Sequence, residues 1–598
     1  MLLRICGILS LLLSLSPFSR LSAASKGDAE WQRLLHYQKG YGAAYQSSID
    51  SPDFFMAEDG RNNPESEWTR SLELLKAREF MFQNKVLNPQ CLFPARALYF
   101  RRAGLIPDAA SDCPEYDAFK SQLNLESISL VFSTAYAGNS ASMFGHTLLK
   151  LNRSGGDAGR SLLDLGVGFL ALSDPADGAL YALKGLLGGY PGFYTVQNYY
   201  ELVNQYAYSE NRDLWELPIA LDPMEREMLA AHLWELTHAA SASYYFTHVN
   251  CASMLAELID VAKPAWAVRA SLHGFVMPSE LMRQVGERLP RTETGFRPSQ
   301  RRRWLDNLTK LSPEEREDCR RIWALQLLPT KSPGRLVLDT LLDRVTIAKG
   351  NLTIDEQKPL RKFEQDLLRA RAMLNVASPK VEIVGDNNPL LAHGPTRFEL
   401  RGGAYDKEFL YGLRLRAGWH DLLDSARGFE PYYHLNYFNF TASKLRSENQ
   451  LHEADFKLAE VWSLNPWQRD EHLISWTMSG GAQYQNRERS LYFRTSAGIS
   501  GSRGGLLFSV LPGVTIHGNL SRDRMEAEGF LRLQMLERWT DSFRSLIAVE
   551  PTMDDRETKS IMWNLENRFD WTKEIQTNLL IERKNELWKW EIGLARNF

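Results

Sequence analysis

The sequence predicts a multidomain protein of α+β plus all-β class. Its parts are a helical N-terminal domain, an α+β domain, a helical connector and a C-terminal antiparallel β-barrel of about twelve strands. Three observations predict this. The chain has 598 residues, too many for one core at roughly 100 to 200 residues per domain. Its hydrophobic period changes along the chain and becomes two near Arg397. Nine of its 16 tryptophans (Trp419, Trp462, Trp467, Trp476, Trp539, Trp563, Trp571, Trp588 and Trp590) fall in the last third. Composition narrows the classes further. With 44% apolar and 24% charged residues and a formal net charge of −3, the chain is neither disordered nor a multi-helix membrane bundle, and no nucleic-acid partner is expected.

Residues 1–24 read as a secretory signal peptide: Arg4 carries the charge, Ile8 to Leu15 are apolar, and Ser22-Ala23-Ala24 supplies small residues for cleavage. Ser14, Ser16, Pro17 and Arg20 break the run short of a membrane span. Cys6 lacks the flanking residues of a lipid-attachment site. Four cysteines then enter an oxidising compartment, Cys91, Cys113, Cys251 and Cys319. Pairing Cys91 with Cys113 would staple a loop. Cys251 and Cys319 are left as a second disulfide, as two buried thiols, or as a pair of which one is a nucleophile.

Residues 25–122 carry helical spacing at Trp31, Leu34 and Leu35 and at Leu72, Leu75 and the Phe80 to Phe82 cluster. Residues 123–262 alternate, with strands at Ser127–Ser133, Phe144–Leu151 and Leu162–Phe169 and helices at Pro223–Leu236 and Cys251–Val261. Residues 263–390 return to helices, one opened by Pro313-Glu314-Glu315 and one from Pro359 to Leu374. The run Arg301 to Arg303 reads as a solvated surface or a contact for anionic lipid head groups.

Residues 391–598 alternate. Ile561, Trp563, Leu565, Phe569 and Trp571 oppose Met562, Asn564, Glu566, Arg568 and Asp570, and Trp588, Trp590, Ile592, Leu594 and Phe598 share one face. Breaks near Asp406, Leu423, Lys444, Asn465, Asn486, Ser502, Asp523, Thr540, Asp554, Thr572 and Asn585 delimit about twelve segments. A soluble sandwich alternates too, but segments of 9 to 12 residues suit a tilted membrane crossing. The aromatics cluster as in interfacial girdles, and the last strand ends on Phe598, as in chains that the outer-membrane assembly machinery reads. Arg596 is the exception on the apolar face and would snorkel. The expected location is the bacterial outer membrane, with periplasmic domains and outer-membrane lipid as a partner.

The chemistry concentrates in two segments, Asn139 to Leu149 and Tyr244 to Ser253. His146 follows a small-residue turn at the start of a strand. Cys251 opens a helix whose Met254, Leu255, Leu258 and Ile259 face the core, with Asn250 as its N-cap. A thiol there meets unpaired N–H groups and the positive end of the helix dipole, which stabilise thiolate. His238, His248 and Cys251 supply imidazoles and a thiolate close together, but there is neither Cys-x-x-Cys nor His-Glu-x-x-His. Gly501 to Gly505 is a turn rather than a phosphate loop. No metal and no cofactor is expected.

Five motifs, Ser142-Met143-Phe144-Gly145-His146-Thr147, Asp164-Leu165-Gly166, Gly188-Gly189-Tyr190-Pro191-Gly192, Arg212-Asp213-Leu214-Trp215-Glu216-Leu217 and Tyr245-Phe246-Thr247-His248-Val249-Asn250-Cys251, resemble the periplasmic domain family of the lipoprotein N-acyltransferase Lnb. That family is similar to circularly permuted papain-like (NlpC-type) thiol enzymes. The resemblance implies a permuted papain-like domain in which Cys251 attacks an ester or amide carbonyl and His146 carries the proton. Asp164 would orient the imidazole, or serve as an ordinary strand-end carboxylate. His248 is a supporting candidate, Gly188, Gly189 and Gly192 would permit a tight loop near the cleft, and Tyr190 and Tyr194 would pack or line an acyl groove. The substrate expected is lipid or lipoprotein. A cell-wall peptidase or amidase, and a non-enzymatic transport or scaffold protein, remain as alternatives, because Lnb itself continues into inner-membrane helices and this chain does not.

Overall fold

The computed structural model describes residues 28–598 except 41–43, 78, 84, 108–111, 136–142, 156–160, 175–176, 178–179, 291–293, 351, 378–387, 486, 522 and 555–557. The signal peptide and the segment Asn139 to Ser142 therefore lie outside the described residues. The chain divides into two units, one of residues up to 122 with 227–240, the other of 123–226 with 241–598.

In the first unit, Trp31, Leu34 and Leu75 are buried on the helices Ala29–Leu34 and Pro64–Lys76. Asp28 and Asn63 cap these helices, each capping group contributing about 1 kcal/mol. Phe80–Phe82 departs from the helical expectation. It forms a two-stranded hairpin with Lys85–Leu87, because alternation of Phe80 and Phe82 over three residues is a strand period. Arg96 is fully buried, 3.1 Å from Glu67 and 3.3 Å from Glu235. Cys91 and Cys113 form a disulfide. Cys251 and Cys319 are both free.

The second unit begins with a seven-stranded antiparallel sheet. Its strands are β1 (Leu125–Ser133), β2 (His146–Arg153), β3 (Leu165–Ala171), β4 (Tyr190–Asn198), β5 (Leu214–Ala220), β6 (Ala242–Tyr244) and β7 (Gly295–Arg297), in the order β6-β4-β3-β2-β1-β5-β7. Helix α1 (Leu180–Leu187) precedes β4, and α2 (Cys251–Ala262) lies on the sheet with Met254, Leu255, Leu258 and Ile259 wholly buried. The connector helices Gln300–Lys310, Pro313–Leu325, Arg335–Gly350 and Lys358–Met373 close around Trp304, Cys319, Leu338 and Phe363. The basic run is partly exposed and held in ion pairs. Arg301 pairs with Glu471 at 2.5 Å, Arg302 with Asp213 and with Glu430 at 3.2 Å, and Arg303 with Asp343 at 2.9 Å.

Twelve further strands close an antiparallel barrel: β8 (Arg397–Tyr405), β9 (Glu408–His420), β10 (Tyr433–Leu445), β11 (Glu453–Ser463), β12 (Ser475–Gln485), β13 (Glu488–Arg503), β14 (Leu506–Asn519), β15 (Arg524–Arg538), β16 (Phe543–Asp554), β17 (Lys559–Asp570), β18 (Ile575–Lys584) and β19 (Leu587–Asn597). Each pairs with the next, and β8 pairs with β19 from Arg397↔Asn597 to Tyr405↔Lys589, so no edge is left. On β19 the alternation is complete: Trp588, Trp590, Ile592 and Leu594 are exposed outward, while Lys589, Glu591, Ala595 and Asn597 are buried inward. Arg596 lies over the Phe598 ring at 5.0 Å. A closed wall that is apolar outside and polar inside is what spans a bilayer with every backbone group satisfied. Among the described residues no helix is long and apolar enough to cross one.

The lumen holds a polar chamber of about 890 Å³ floored by Leu422 and Leu423. These two residues, from the turn after β9, meet the inward-facing Leu507, Leu511, Leu536 and Leu546. Asp421 and Asp424, on either side of them, are held by buried Arg397, Arg416 and Arg568: Arg416 reaches Asp424 at 2.7 Å and Asp421 at 3.1 Å, and Arg568 reaches Asp424 at 2.7 Å.

Candidate active site

Two local devices present the thiol and the imidazole. Gly145 has φ +83°, and a Cβ there would lie 2.6 Å from the Phe132 ring and 2.9 Å from Ser133 O, so only glycine fits before His146. At α2, the Asn250 side chain accepts from Ala252 N at 3.0 Å and Ser253 N at 3.2 Å, and Ser253 Oγ accepts from Asn250 N at 2.9 Å. This capping box fixes the first turn and leaves Cys251 at its tip. Asn250 Nδ2 also donates to Val276 O at 2.8 Å and Phe246 O at 3.1 Å, anchoring the turn to two further segments.

The structure brings Cys251 and His146 together across 105 residues of sequence: the imidazole lies beside the buried thiol, close enough to act on its charge. Burial alone pushes the thiol up. The charge of the nearby His146, with the Thr147 backbone and hydroxyl beside the sulfur, outweighs burial and brings it from 9.0 down to about 7. The His146 ring lies 5.5 Å from that of Tyr206, centroid to centroid. Arg212 frames this wall, its guanidinium over Tyr206 at 5.1 Å and donating to Thr134 O at 2.6 Å and Ser133 O at 3.0 Å, the end of β1 that pairs with His146.

Asp164 is not brought to the pair. Strand β3 does neighbour β2, but Leu165 faces Leu151, so Asp164 sits at the far end of β2, about 17–20 Å along the strand from His146 at ~3.3 Å per residue. There it pairs with buried Lys150 at 3.5 Å and accepts from Arg153 N at 3.3 Å. The expectation that it orients the imidazole is corrected by this register, and its place is that of a strand-end carboxylate. His248 is exposed, with Nδ1 2.7 Å from Thr247 Oγ1 and its ring against Tyr245. Tyr190 and Tyr194 are packing residues, Tyr194 donating to Met254 O at 2.8 Å and Tyr190 to Asp177 at 2.6 Å. Gly188 has φ +75° and ends α1 where Tyr245 leaves no room for a Cβ.

Tyr244 is the residue that sequence reasoning passed over. Its hydroxyl accepts from Cys251 N at 3.3 Å, beside the thiol, while its ring stacks on Phe169 at 5.7 Å and 9°. Burial and the adjacent thiolate hold its hydroxyl protonated, well above the ordinary tyrosine range. Its position seven residues before the cysteine, on edge strand β6, was the available signal.

Residues 115–288 match the Lnb N-terminal periplasmic domain. The barrel, residues 386–597, matches the domain of unknown function DUF7840, and residues 25–103 match the domain of unknown function DUF7843. No curated protein matches the chain. Similar solved structures include an outer membrane channel from Pseudomonas putida F1 (10% identity, 37% of this chain and 100% of that one, TM-score 0.25), the KdgM porin in complex with disordered oligogalacturonate (8%, 34% and 99%, 0.24) and Omp33 of Acinetobacter baumannii (9%, 34% and 99%, 0.20). The chain joins an Lnb-type periplasmic domain to a closed twelve-strand β-barrel.

That domain packs on the outside of the barrel wall. Tyr433, Leu435 and Tyr437 of β10 and Val461 of β11 point away from the lumen, opposite the inward-facing His434, Asn436, Glu460 and Trp462. They are covered by Met143, Phe144, Phe275 and Met277 of the Lnb-type domain, with Phe144 4.7 Å from Tyr437 and Phe275 5.0 Å from Phe438. Met143 and Phe144 precede His146, and Val276 holds the Cys251 cap. Both halves of the pair are thus seated on the barrel.

One cluster among the described residues has metal-ligand spacing: His393, His420 and Asp424, all buried. The donors do not suit a cation. Asp424 already accepts from Arg397, Arg416 and Arg568, and His393 Nε2 meets His420 Nδ1 at 3.2 Å. Three guanidiniums against two carboxylates leave the cluster positive without an ion.

Proposed function

We propose that the Lnb-type domain is a Cys–His thiol enzyme that transfers or hydrolyses acyl groups of membrane lipid or lipoprotein. The observation that carries this reading is the Cys251 thiol at a capped helix N-terminus with the His146 imidazole beside it, which lowers the thiol to about 7. The Cys251 sulfur adds to an ester carbonyl carbon. The tetrahedral intermediate collapses with loss of the alcohol, which takes its proton from the His146 imidazolium. The thioester is then opened by an amine or by water. That nucleophile gives its proton to His146, which returns it to sulfur. Tyr244 stands where a hydroxyl would support the oxyanion. Docking on the bilayer-facing wall favours an acyl donor from the membrane over a murein peptide.

The test is mass spectrometry of the full chain in vesicles containing acyl-labelled phosphatidylethanolamine. A hydroxylamine-labile acyl adduct on Cys251 is expected, lost in Cys251→Ser. Acyl labelling that persists in Cys251→Ser, or an adduct formed only with murein peptides, overturns the reading. A thiol that takes up neither marks a non-enzymatic scaffold.

A further inference from the structure

Helix α1 carries a leucine stripe that stays exposed among the described residues. Leu180, Leu183 and Leu187 are 58%, 53% and 70% exposed at spacings of three and four, one face of a helix. The opposite face is occupied: Tyr181 lies 5.3 Å from the Phe246 ring, a Cβ on Gly185 would fall 2.3 Å from that ring, and Phe246 N donates to Gly185 O at 2.9 Å. The stripe contains one charge, Lys184, which turns to Asp177 and Tyr190. Such a face is unusual on a domain bathed in water.

The domain's seat on the barrel gives that face a partner. The segment under α1 continues through Thr247, whose carbonyl accepts from Val276 N at 2.9 Å. The neighbours of Val276, Phe275 and Met277, lie on the outward face of β10 and β11. Further along the same outer wall, Phe456, Leu458 and Met478 are uncovered and face acyl chains. From the barrel's outer wall to the helix that carries the stripe there are two packed segments.

We infer that α1 is an interfacial helix that lays Leu180, Leu183 and Leu187 on the periplasmic leaflet of the membrane that the barrel spans, the occupant being phospholipid. The Lnb-type domain is then held to the membrane twice, by the barrel and by α1, with the segment Tyr244–Phe246 beside Cys251 lying under that helix. The inference concerns contact with lipid and does not depend on the thiol chemistry.

Spin labels test it. The full chain, with Cys251→Ser to spare the thiol, is labelled at Leu183→Cys or Leu187→Cys and reconstituted in phosphatidylethanolamine–phosphatidylglycerol vesicles. Collision rates with oxygen and with a neutral nickel chelate are then measured. Ile592→Cys on the barrel's outer face and Asp355→Cys, with an exposed side chain in the connector, calibrate lipid and water. Labels on α1 are expected to favour oxygen as Ile592→Cys does. Nickel accessibility equal to that of Asp355→Cys overturns the inference. So does an immobilised label protected from both agents, which would mean a protein covers the stripe. Leu180→Cys is the alternative site if either variant fails to insert.

Discussion

The Phe144 ring, two residues before His146, lies 4.7 Å from the ring of Tyr437 on the outer wall of the barrel. The strand that presents the imidazole therefore starts from a contact with a membrane-spanning element. Removing it by Tyr437→Ala leaves the chemistry untouched but frees the turn before His146. Acyl transfer should fall by up to about 100-fold, as small misplacements of reacting groups do, while the barrel still shows heat-modifiable migration on a gel.

Thiol reactivity should follow pH with a midpoint near 7, rising from acid to neutral as thiolate forms, because His146 offsets the burial that raises Cys251. In His146→Ala burial loses its main counterweight, so the midpoint should move up and alkylation at pH 7 should drop about tenfold or more. Iodoacetamide rates across pH measure both. Cys319, pushed up to about 12 chiefly by burial, should stay silent throughout.

Tyr244→Phe keeps the stack on Phe169 and removes only the hydroxyl that meets Cys251 N beside the thiol. Turnover should fall by roughly 10²-fold, the scale of losing one oxyanion donor, with little change in substrate affinity. Steady-state kinetics separating kcat from KM would show it. An unchanged kcat would reduce Tyr244 to packing.

Asp164→Asn should act on stability rather than on the thiol. Lys150 is buried between Asp164 and Glu216, and removing one carboxylate weakens that cluster by about 1–3 kcal/mol. Denaturant unfolding should register the loss while the pH profile of Cys251 alkylation stays in place. A shifted profile would restore Asp164 to the imidazole.

The barrel should conduct poorly, because Leu422 and Leu423 fill its floor and Asp421 and Asp424 lock them to three arginines. Neutralising both carboxylates, Asp421→Asn with Asp424→Asn, leaves those arginines buried and unpaired and should release the turn. Planar-bilayer recordings should show larger steps for the double variant than for the native chain. A native chain with porin-sized steps would contradict a closed floor.

Much of this molecule was legible in the residues. Breaks near Asp406, Asn465, Asp523, Thr572 and Asn585 mark real turns of the barrel because each interrupts a two-residue period that must otherwise persist across a bilayer. Asn250-Cys251 was legible because a cap followed by an apolar helical face is a local signal. Asp164 was misjudged because sequence suggested which strands are neighbours but not their register, and a shift of five or six residues moved the carboxylate from one end of β2 to the other. The ion pairs of Arg301 to Arg303 were not legible because their partners, Asp213, Asp343, Glu430 and Glu471, lie up to 170 residues away.

By itself the sequence determined the barrel, its apolar outside, the helix that opens on Cys251 and the motif that ends in His146, since periodicity, capping and turn chemistry act over a few residues. Only the tertiary structure decided that the imidazole reaches that sulfur, that Tyr244 stands beside it, that the domain sits on the outside of the barrel wall, and that the lumen is floored. Tyr244 is only seven residues from the cysteine but is turned to it by the pairing of its strand, and the other meetings span some eighty residues or more. Register and packing settle them, which local patterns do not encode.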